Sequence, residues 1–214
     1  MKKYTTLLFD LDGTLIDTNS IIVESYRHTF KTYRPDVVLS DQEIIDFIGP
    51  PLEKIFVRYT SQSDAETWID TYRRYYKAHE KKHFSLYPEV QEVLKELHQR
   101  GIKMGIVTSK YKAGALPSVE HFGLTHYFEA FVGLDDVQHA KPDSEPVLTA
   151  LKQLNVVPSK EVLMIGDNQS DIQSGLNAGV DGAGVAWSIK GAKFLEEASP
   201  TLMLNSMTDL LNLI

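Results

Sequence analysis

Short apolar runs alternate with amphipathic stretches along the chain from about residue 86 onward. Four of the runs are almost continuously apolar, which is typical of strands that are buried on both faces of a parallel sheet. Between them, apolar residues recur every three or four positions, as on one face of a helix. This alternation predicts a doubly wound parallel α/β sheet with helices on both faces. The four runs cover residues 101–108, 127–133, 161–167 and 181–187.

The clearest helical segment is PEVQEVLKELHQRG, which begins at Pro88 and ends at Gly101. Proline is favoured in the first turn of a helix, so we expect Pro88 to lie there. Glycine is favoured just after a helix, so Gly101 should end it. Residues 144–155 and 170–179 show similar helical patterns. The predicted apolar face of the first helix consists of Val90, Val93, Leu94 and Leu97.

Residues 18–84 have a different pattern, with no convincing strand. They contain four amphipathic helical stretches separated by polar breaks, at 19–33, 40–47, 51–60 and 63–83. We therefore predict a helical domain at 18–84, inserted after the first strand. The α/β core would then be discontinuous and would consist of residues 1–17 and 85–214.

Three predicted strands run into polar residues that could carry chemistry. The apolar run LLF is followed by Asp10, GIV by Thr108 and VLMIG by Asp167. Any one of these residues could simply form a turn or cap a helix. Ligands of open α/β sheets bind at the carboxyl ends of the strands, where these three side chains should converge. The convergence predicts a functional site.

The first strand is followed by the sequence DLDGT, which contains Asp10, Asp12 and Gly13. The two carboxylates are two positions apart, so they project to the same side if the chain stays extended. Gly13 allows a tight turn that exposes backbone N–H groups. Such a pair suits phosphoryl transfer, in which one carboxylate attacks phosphorus and the other donates a proton to the leaving oxygen.

The charge balance of such a site requires a cation. Asp10, Asp167 and Asp171 beside a phosphate would repel by about 4 kcal/mol per pair of unit charges at ~4 Å and an effective dielectric of ~20. Mg²⁺ takes oxygen ligands and bridges to phosphate, so it is the expected cofactor. Lys141, in the segment HAKPDSEP, offers a second compensating charge.

Four motifs in this order resemble the haloacid dehalogenase superfamily of aspartate-nucleophile phosphatases. They are DLDGT at residues 10–14, Thr108 at a strand end, Lys141 before Pro142, and GDNQSD at 166–171. The resemblance implies a Rossmann-like core with an inserted helical cap. It also implies that Asp10 is the nucleophile that becomes a phosphoaspartate, and that Asp12 is the general acid and later the base.

The same resemblance implies roles for the remaining polar residues. Thr108 would bind phosphate together with backbone N–H groups such as those of Asp12 and Ser109, and Lys141 would hold the phosphate and the nucleophile together. Asp167 would be a direct Mg²⁺ ligand, alongside Asp10 and the carbonyl of Asp12. Asp171 would orient a metal-bound water.

The substrate is expected to be small. The helical insertion resembles the cap of the phosphoglycolate-phosphatase-like subgroup, and residues 46–56 are the segment expected to contact substrate. There Gly49 would let the backbone approach closely, although the segment could equally be an ordinary helix–turn–helix corner. Lys110 could bind a dianionic leaving group, or it could be a solvated surface lysine. The stretches FIGPPL, GLDDVQHAKPDSEP and GVAWSIKG resemble a bacterial pyrophosphatase branch, so the expected substrate is inorganic pyrophosphate or a phosphomonoester such as phosphoglycolate.

Three alternatives remain open at this point. A sugar phosphomutase of the β-phosphoglucomutase type would use the same four motifs. The sequence HEKKH at residues 79–83 could bind zinc as in a metalloprotease, although no third ligand is obvious. A non-catalytic protein of the same fold is the third alternative, but every chemical residue is present.

The composition limits the kinds of partner and chemistry that we expect for this protein. The net charge of −7 argues against a nucleic-acid or anionic membrane surface, and the absence of cysteine excludes disulfides and thiolate chemistry. The N-terminal apolar run is too short for a signal peptide, so a cytoplasmic protein is expected. Either a monomer or a homodimer is compatible with the sequence.

Overall fold

The computed structural model describes residues 4–214, which form two compact units. One unit contains the described residues up to Ile16 together with Leu86–Ile214, and the other is Asp17–Ser85. Each boundary lies one residue from the position that the sequence pattern predicts. No helix in the described part of the chain is long and apolar enough to cross a membrane.

Within residues 4–214, eight strands form two sheets. Six strands make one parallel sheet in the order β5-β4-β1-β6-β7-β8, and β2 pairs with β3 where the chain leaves and re-enters the first unit. The strands are β1 (Thr6–Phe9), β2 (Ile16–Asp17), β3 (Ser85–Leu86), β4 (Lys103–Val107), β5 (Ala130–Val132), β6 (Val162–Gly166), β7 (Asp181–Val185) and β8 (Leu202–Leu204).

Strand β1 lies at the centre of the six-stranded sheet. Leu7 is in register with Met104 of β4 and Leu163 of β6, and all three side chains are fully buried. This burial explains the nearly continuous apolar runs, because strands covered on both faces have no polar side. The predicted doubly wound α/β fold is confirmed.

Nine α-helices accompany the strands in the described part of the chain, with short 3₁₀ turns, one of which covers Met207–Asn212. The predicted apolar face of the helix after β3 is completely buried. The helices are α1 (Asn19–Tyr33), α2 (Asp41–Asp46), α3 (Leu52–Phe56), α4 (Gln62–His83), α5 (Val90–Gln99), α6 (Lys112–His121), α7 (Glu145–Gln153), α8 (Gln169–Asn177) and α9 (Ala192–Glu196).

Two details differ from the sequence-based expectations. Pro88 is not in the first turn of α5, because the helix begins at Val90 and Glu89, with φ +67°, precedes it in a left-handed conformation. Helix α6 was not predicted, since Pro117 lies inside it and its apolar residues do not gather on one face. Gly101 follows α5 with φ +73°, as expected for a helix-ending glycine.

The helical unit has an aromatic core. The ring of Tyr26 packs against Phe47, Phe56 and Tyr72, and Trp68 packs against Phe30 and Phe56. Four of these five ring pairs are edge-to-face, a geometry that stabilises aromatic contacts beyond the burial of apolar area. Apolar residues of the four helices α1–α4 therefore form a core of their own.

Candidate active site

Three strands of the sheet deliver polar side chains to its carboxyl edge. Asp10 follows β1, and its neighbours in space are Thr108 after β4 and Asp167 after β6. All three residues are buried. Because β1 lies between the other two strands, the convergence predicted from the sequence is present in the structure.

Lys141 occupies the centre of this group. Its ammonium group donates to Asp10 Oδ1 at 2.7 Å and to the carbonyl of Val107 at 2.9 Å, and it lies 2.5 Å from Asp171 Oδ1. Its side chain is 2% exposed. These three partners match the three N–H donors of an ammonium group, so Lys141 is fixed in position by the residues around it.

Asp10, Asp167 and Asp171 form a compact acidic group. Each offers one carboxylate oxygen, and these oxygens lie within 4.8 Å of one another. All three residues are buried. Oxygen donors at this spacing are what hard divalent cations such as Mg²⁺ bind. The acidic group therefore fits a metal ion of this kind.

The electrostatics of the group also favour a cation. Burial raises the pKa of Asp10 to about 7, although the charge of Lys141 acts in the opposite direction. Burial and the charges of Asp10 and Asp171 raise the pKa of Asp167 well above its ordinary value. Burial lowers the pKa of Lys141, but the two carboxylates it contacts outweigh this and raise it. One lysine thus leaves the three carboxylates short of positive charge.

Asp12, Gly13 and Lys110 lie at the same edge. The ammonium group of Lys110 is 3.4 Å from the Asp12 carboxylate, and the Lys110 side chain is 21% exposed, so Lys110 is not a solvated surface lysine. Gly13 has φ +84°, and a Cβ there would collide with the Asp167 carboxylate. The N–H of Gly13 donates to the carbonyl of Ile16 at 2.8 Å and is therefore already used within the turn.

The remaining predicted residues lie in different places. The hydroxyl of Thr108 accepts from the N–H of Lys110 at 3.2 Å, and Ser109 lies half-buried between them. Gly49 belongs to the helical unit, between α2 and α3, with φ +111°. Its contact with substrate stays a prediction.

The rival zinc motif does not form a site of the same kind. His79 Nδ1 is hydrogen-bonded to the carbonyl of Tyr75 at 2.8 Å, and its ring stacks on that of Tyr75. His83 lies 3.8 Å from Glu24. Among residues 4–214, the only group of three or more potential ligands close enough to share an ion is the acidic group described above.

Two residues that hydrogen-bond to the backbone around the site were not predicted from the sequence. The indole of Trp187 donates to the carbonyl of Thr14 at 3.2 Å, and the hydroxyl of Ser188 donates to the carbonyl of Asp167 at 2.7 Å. The ion pair between Asp171 and Lys141 was not predicted either. A side chain that binds a backbone carbonyl leaves no pattern in a single sequence, so no motif could have revealed the first two contacts.

The topology and this edge define an α/β protein with an acidic, lysine-centred site at the carboxyl ends of its strands. The family model for haloacid dehalogenase-like hydrolases matches residues 7–185. The chain belongs to the haloacid dehalogenase-like hydrolase family, as its motifs predicted.

Individual relatives agree with this assignment. The chain is 41% identical over 212 residues to the pyrophosphatase PpaX of Halalkalibacterium halodurans, covering 99% of this chain and 97% of the relative. It is 43% identical over 215 residues to the pyrophosphatase PpaX of Bacillus velezensis, with the same coverage. A solved haloacid dehalogenase-like family hydrolase from Streptococcus pneumoniae superposes with a TM-score of 0.84 at 26% identity, covering 98% of this chain and 97% of that one.

Proposed function

We propose that this hydrolase is a Mg²⁺-dependent phosphatase that cleaves inorganic pyrophosphate through an aspartyl phosphate on Asp10. The observation that carries the proposal is the buried contact of 2.7 Å between Asp10 and Lys141 at the end of the central strand. Relatives at 41% and 43% identity are named pyrophosphatases, which supports the choice of substrate. A small phosphomonoester such as phosphoglycolate is the second substrate candidate.

In the first half-reaction the Asp10 carboxylate attacks phosphorus. A bond forms between Asp10 and phosphorus, the bond from phosphorus to the leaving oxygen breaks, and Asp12 gives that oxygen its proton. The Thr108 hydroxyl and the Ser109 N–H donate to the phosphoryl oxygens. Lys141 holds the Asp10 carboxylate in place and offsets the charge that develops on the phosphoryl group.

In the second half-reaction water removes the phosphoryl group from Asp10. Asp12, now ionised, accepts a proton from the water as its oxygen bonds to phosphorus, and the bond between phosphorus and Asp10 breaks. The products are free phosphate, the Asp10 carboxylate and protonated Asp12, as at the start. The same side chain thus acts first as acid and then as base.

The ligands we propose for Mg²⁺ are Asp10, Asp167 and the carbonyl of Asp12, with Asp171 adjacent to them. When bound, the ion would neutralise part of the phosphate charge and so favour attack of Asp10 on phosphorus. The three buried carboxylates carry more negative charge than Lys141 offsets, which supports a resident cation.

The position of Lys110 favours pyrophosphate over a monoester with an uncharged leaving group. Its ammonium group lies 3.4 Å from Asp12, the proposed donor to the leaving oxygen. A cation at this point would attract the charge of a departing phosphate. We further propose that the helical unit is the cap that supplies substrate contacts, including Gly49. A cytoplasmic location, and a monomeric or homodimeric state, stay predictions.

The test is phosphate release from pyrophosphate, phosphoglycolate, sugar phosphates and a chromogenic ester, with and without Mg²⁺. Asp10→Asn should lower release by at least about 10³-fold, because no nucleophile remains. Asp70→Asn, an exposed aspartate on α4, is the matched control and should keep wild-type activity. Release that ignores both Mg²⁺ and Asp10 would contradict the proposal. Conversion of glucose 1-phosphate to its isomer without net release would identify a phosphomutase instead.

A further inference from the structure

The turn that follows β7 is tightly hydrogen-bonded. The N–H of Ser188 donates to the carbonyl of Val185 at 3.1 Å, and the N–H of Gly191 donates to the carbonyl of Ser188 at 3.0 Å. The N–H of Lys190 donates to the Ser188 hydroxyl at 3.2 Å. The backbone of this turn is therefore held in place. Trp187 and Ser188, whose side chains reach from the turn toward the site, project from that fixed backbone.

Ser188 holds the backbone of Asp167. Its hydroxyl donates to the Asp167 carbonyl at 2.7 Å while it accepts the N–H of Lys190, so the direction of its proton is determined. Ser188 is buried. A short, buried hydrogen bond of this kind restricts the backbone from which the Asp167 carboxylate projects.

Trp187 acts on the same carboxylate indirectly, through Thr14. The indole N–H can only donate, and its acceptor is the Thr14 carbonyl at 3.2 Å. Thr14 is fully buried, and its hydroxyl lies 3.5 Å from Asp167 Oδ1. The Asp167 carboxylate also packs directly against Gly13, where no side chain would fit. Its position is therefore limited on two sides by the turn at residues 10–14.

These contacts converge on Asp167. We propose that Trp187 and Ser188 are positioning residues that hold the Asp167 carboxylate in its metal-binding orientation; this rests on the proposed Mg²⁺ site. Together they are called the 187–188 brace. The brace connects three successive strand ends, because β1 carries Thr14, β6 carries Asp167 and β7 carries the brace itself.

A brace is needed because the Asp167 carboxylate has reasons to move. It is buried beside two other carboxylates, and without a metal ion the single charge of Lys141 does not offset the repulsion among the three groups. A carboxylate free to rotate would turn away from them, and metal binding would then have to restore its orientation. Partners that orient a ligand in this way typically change metal affinity by about 10- to 100-fold when removed.

The test is a titration of metal-free protein with MgCl₂ by calorimetry, without substrate. Ser188→Ala and Trp187→Phe should each weaken Mg²⁺ binding by roughly 10-fold, whereas Ser188→Thr keeps the hydroxyl and should bind like wild type. In assays, the Mg²⁺ concentration for half-maximal activity should rise by a similar factor, while the KM for pyrophosphate at saturating Mg²⁺ stays constant.

The controls come from the helical unit. Ser25→Ala removes a buried hydroxyl that donates to the carbonyl of Ile21 at 2.6 Å, and Trp68→Phe changes the only other tryptophan in the sequence. Both should leave Mg²⁺ affinity unchanged. Suppose that wild type binds Mg²⁺ and that both Ser188→Ala and Trp187→Phe bind it equally well. The proposed role of the 187–188 brace would then be wrong, although the metal site itself would be supported. If wild type binds no Mg²⁺, the proposed metal site and the brace both fail.

Discussion

The ammonium group of Lys141 lies 2.7 Å from the carboxylate of Asp10, and the two side chains are only 2% and 9% exposed. The same ammonium group also contacts Asp171, so one lysine joins a buried acid at the end of β1 to another in the first turn of α8. Removing one partner of a buried ion pair leaves the other charge uncompensated. Lys141 should therefore stabilise the fold, in addition to its proposed role in the reaction.

Lys141→Met keeps most of the side-chain volume but removes the charge. Without Mg²⁺, we expect the free energy of unfolding at pH 7 to fall by about 3–5 kcal/mol, because the buried acids lose their cation. Added Mg²⁺ should restore part of the loss by supplying charge at the same place. Urea unfolding with and without MgCl₂ measures both quantities.

Arg100→Met is the matched control for this variant. Arg100 pairs with Glu96 at 2.8 Å, but both side chains are more than 40% exposed, so the change should cost less than about 1 kcal/mol. If Lys141→Met is no more destabilising than this control, the buried pair does not stabilise the fold.

The fold was predictable because its signals are local. The runs before Asp10, Thr108 and Asp167 are nearly pure apolar sequence, and a strand buried on both faces has to have such a sequence. The strand order then places their ends together. The sequence could not show that the residue before α5, Glu89, is left-handed, because no propensity favours a glutamate in that conformation.

The site was predictable in part. Asp10, Thr108 and Asp167 directly follow strands, and strand ends meet by topology. Lys141 lies in the loop before α7 and Asp171 in the first turn of α8, so these two were predicted from the motifs that contain them. The 187–188 brace and the ion pair between Asp171 and Lys141 depend instead on side-chain directions between distant segments. Those directions are set by packing in three dimensions, and a single sequence does not record them. The short distance between Lys110 and Asp12 also depends on three-dimensional packing, so it was not predicted from the sequence.

Lys110→Ala tests the proposed leaving-group site. Since a charge-assisted hydrogen bond contributes about 1.5–3 kcal/mol, we expect kcat/KM for pyrophosphate to fall by roughly 10-fold or more. The loss should be much smaller for a monoester whose leaving group carries no charge, because such a group has nothing for Lys110 to bind. Steady-state kinetics on both substrates measure the difference.

Lys112→Ala provides the comparison for Lys110→Ala. Its ammonium group lies 2.7 Å from Asp136 rather than beside Asp12, so neither substrate should be affected. If Lys110→Ala lowers kcat/KM equally for the two substrates, the lysine does not interact with the charge of the leaving group.

Tyr4→Phe separates stability from activity. The Tyr4 hydroxyl donates to Asp181 Oδ2 at 2.8 Å in a buried position at the start of β7, the opposite end of that strand from the brace. Loss of a hydrogen bond to a charged group should lower the free energy of unfolding by about 1.5–3 kcal/mol, with kcat unchanged. Denaturant unfolding measures the change in stability, and initial rates on the same samples measure kcat. A fall in kcat would show that this end of the sheet is coupled to the site.

The same variant has a pH dependence with a definite direction. Burial, the hydrogen bond to Asp181 and its charge raise the pKa of the Tyr4 hydroxyl above its ordinary value of 10.0. The folded state therefore keeps the proton that the unfolded chain loses above about pH 10. The stability from Tyr4 is fully present below that pH and declines above it, so the difference between wild type and Tyr4→Phe should shrink from pH 8 to pH 10.5. A difference that stays constant would mean that the hydroxyl titrates normally.

Gly13→Ala tests the close contact between the first turn and Asp167. The added Cβ would collide with the Asp167 carboxylate, and alanine is strained at φ +84°. Gly179→Ala imposes similar strain at φ +79°, but nothing lies within 4 Å of its Cβ position. We expect both variants to lose about 1–2 kcal/mol of stability from strain, and only Gly13→Ala to lose Mg²⁺ affinity as well. Calorimetric titration of both variants with MgCl₂ separates the strain from the effect on the metal site. If Gly13→Ala binds Mg²⁺ as tightly as Gly179→Ala does, the Asp167 carboxylate can move aside without loss of metal affinity.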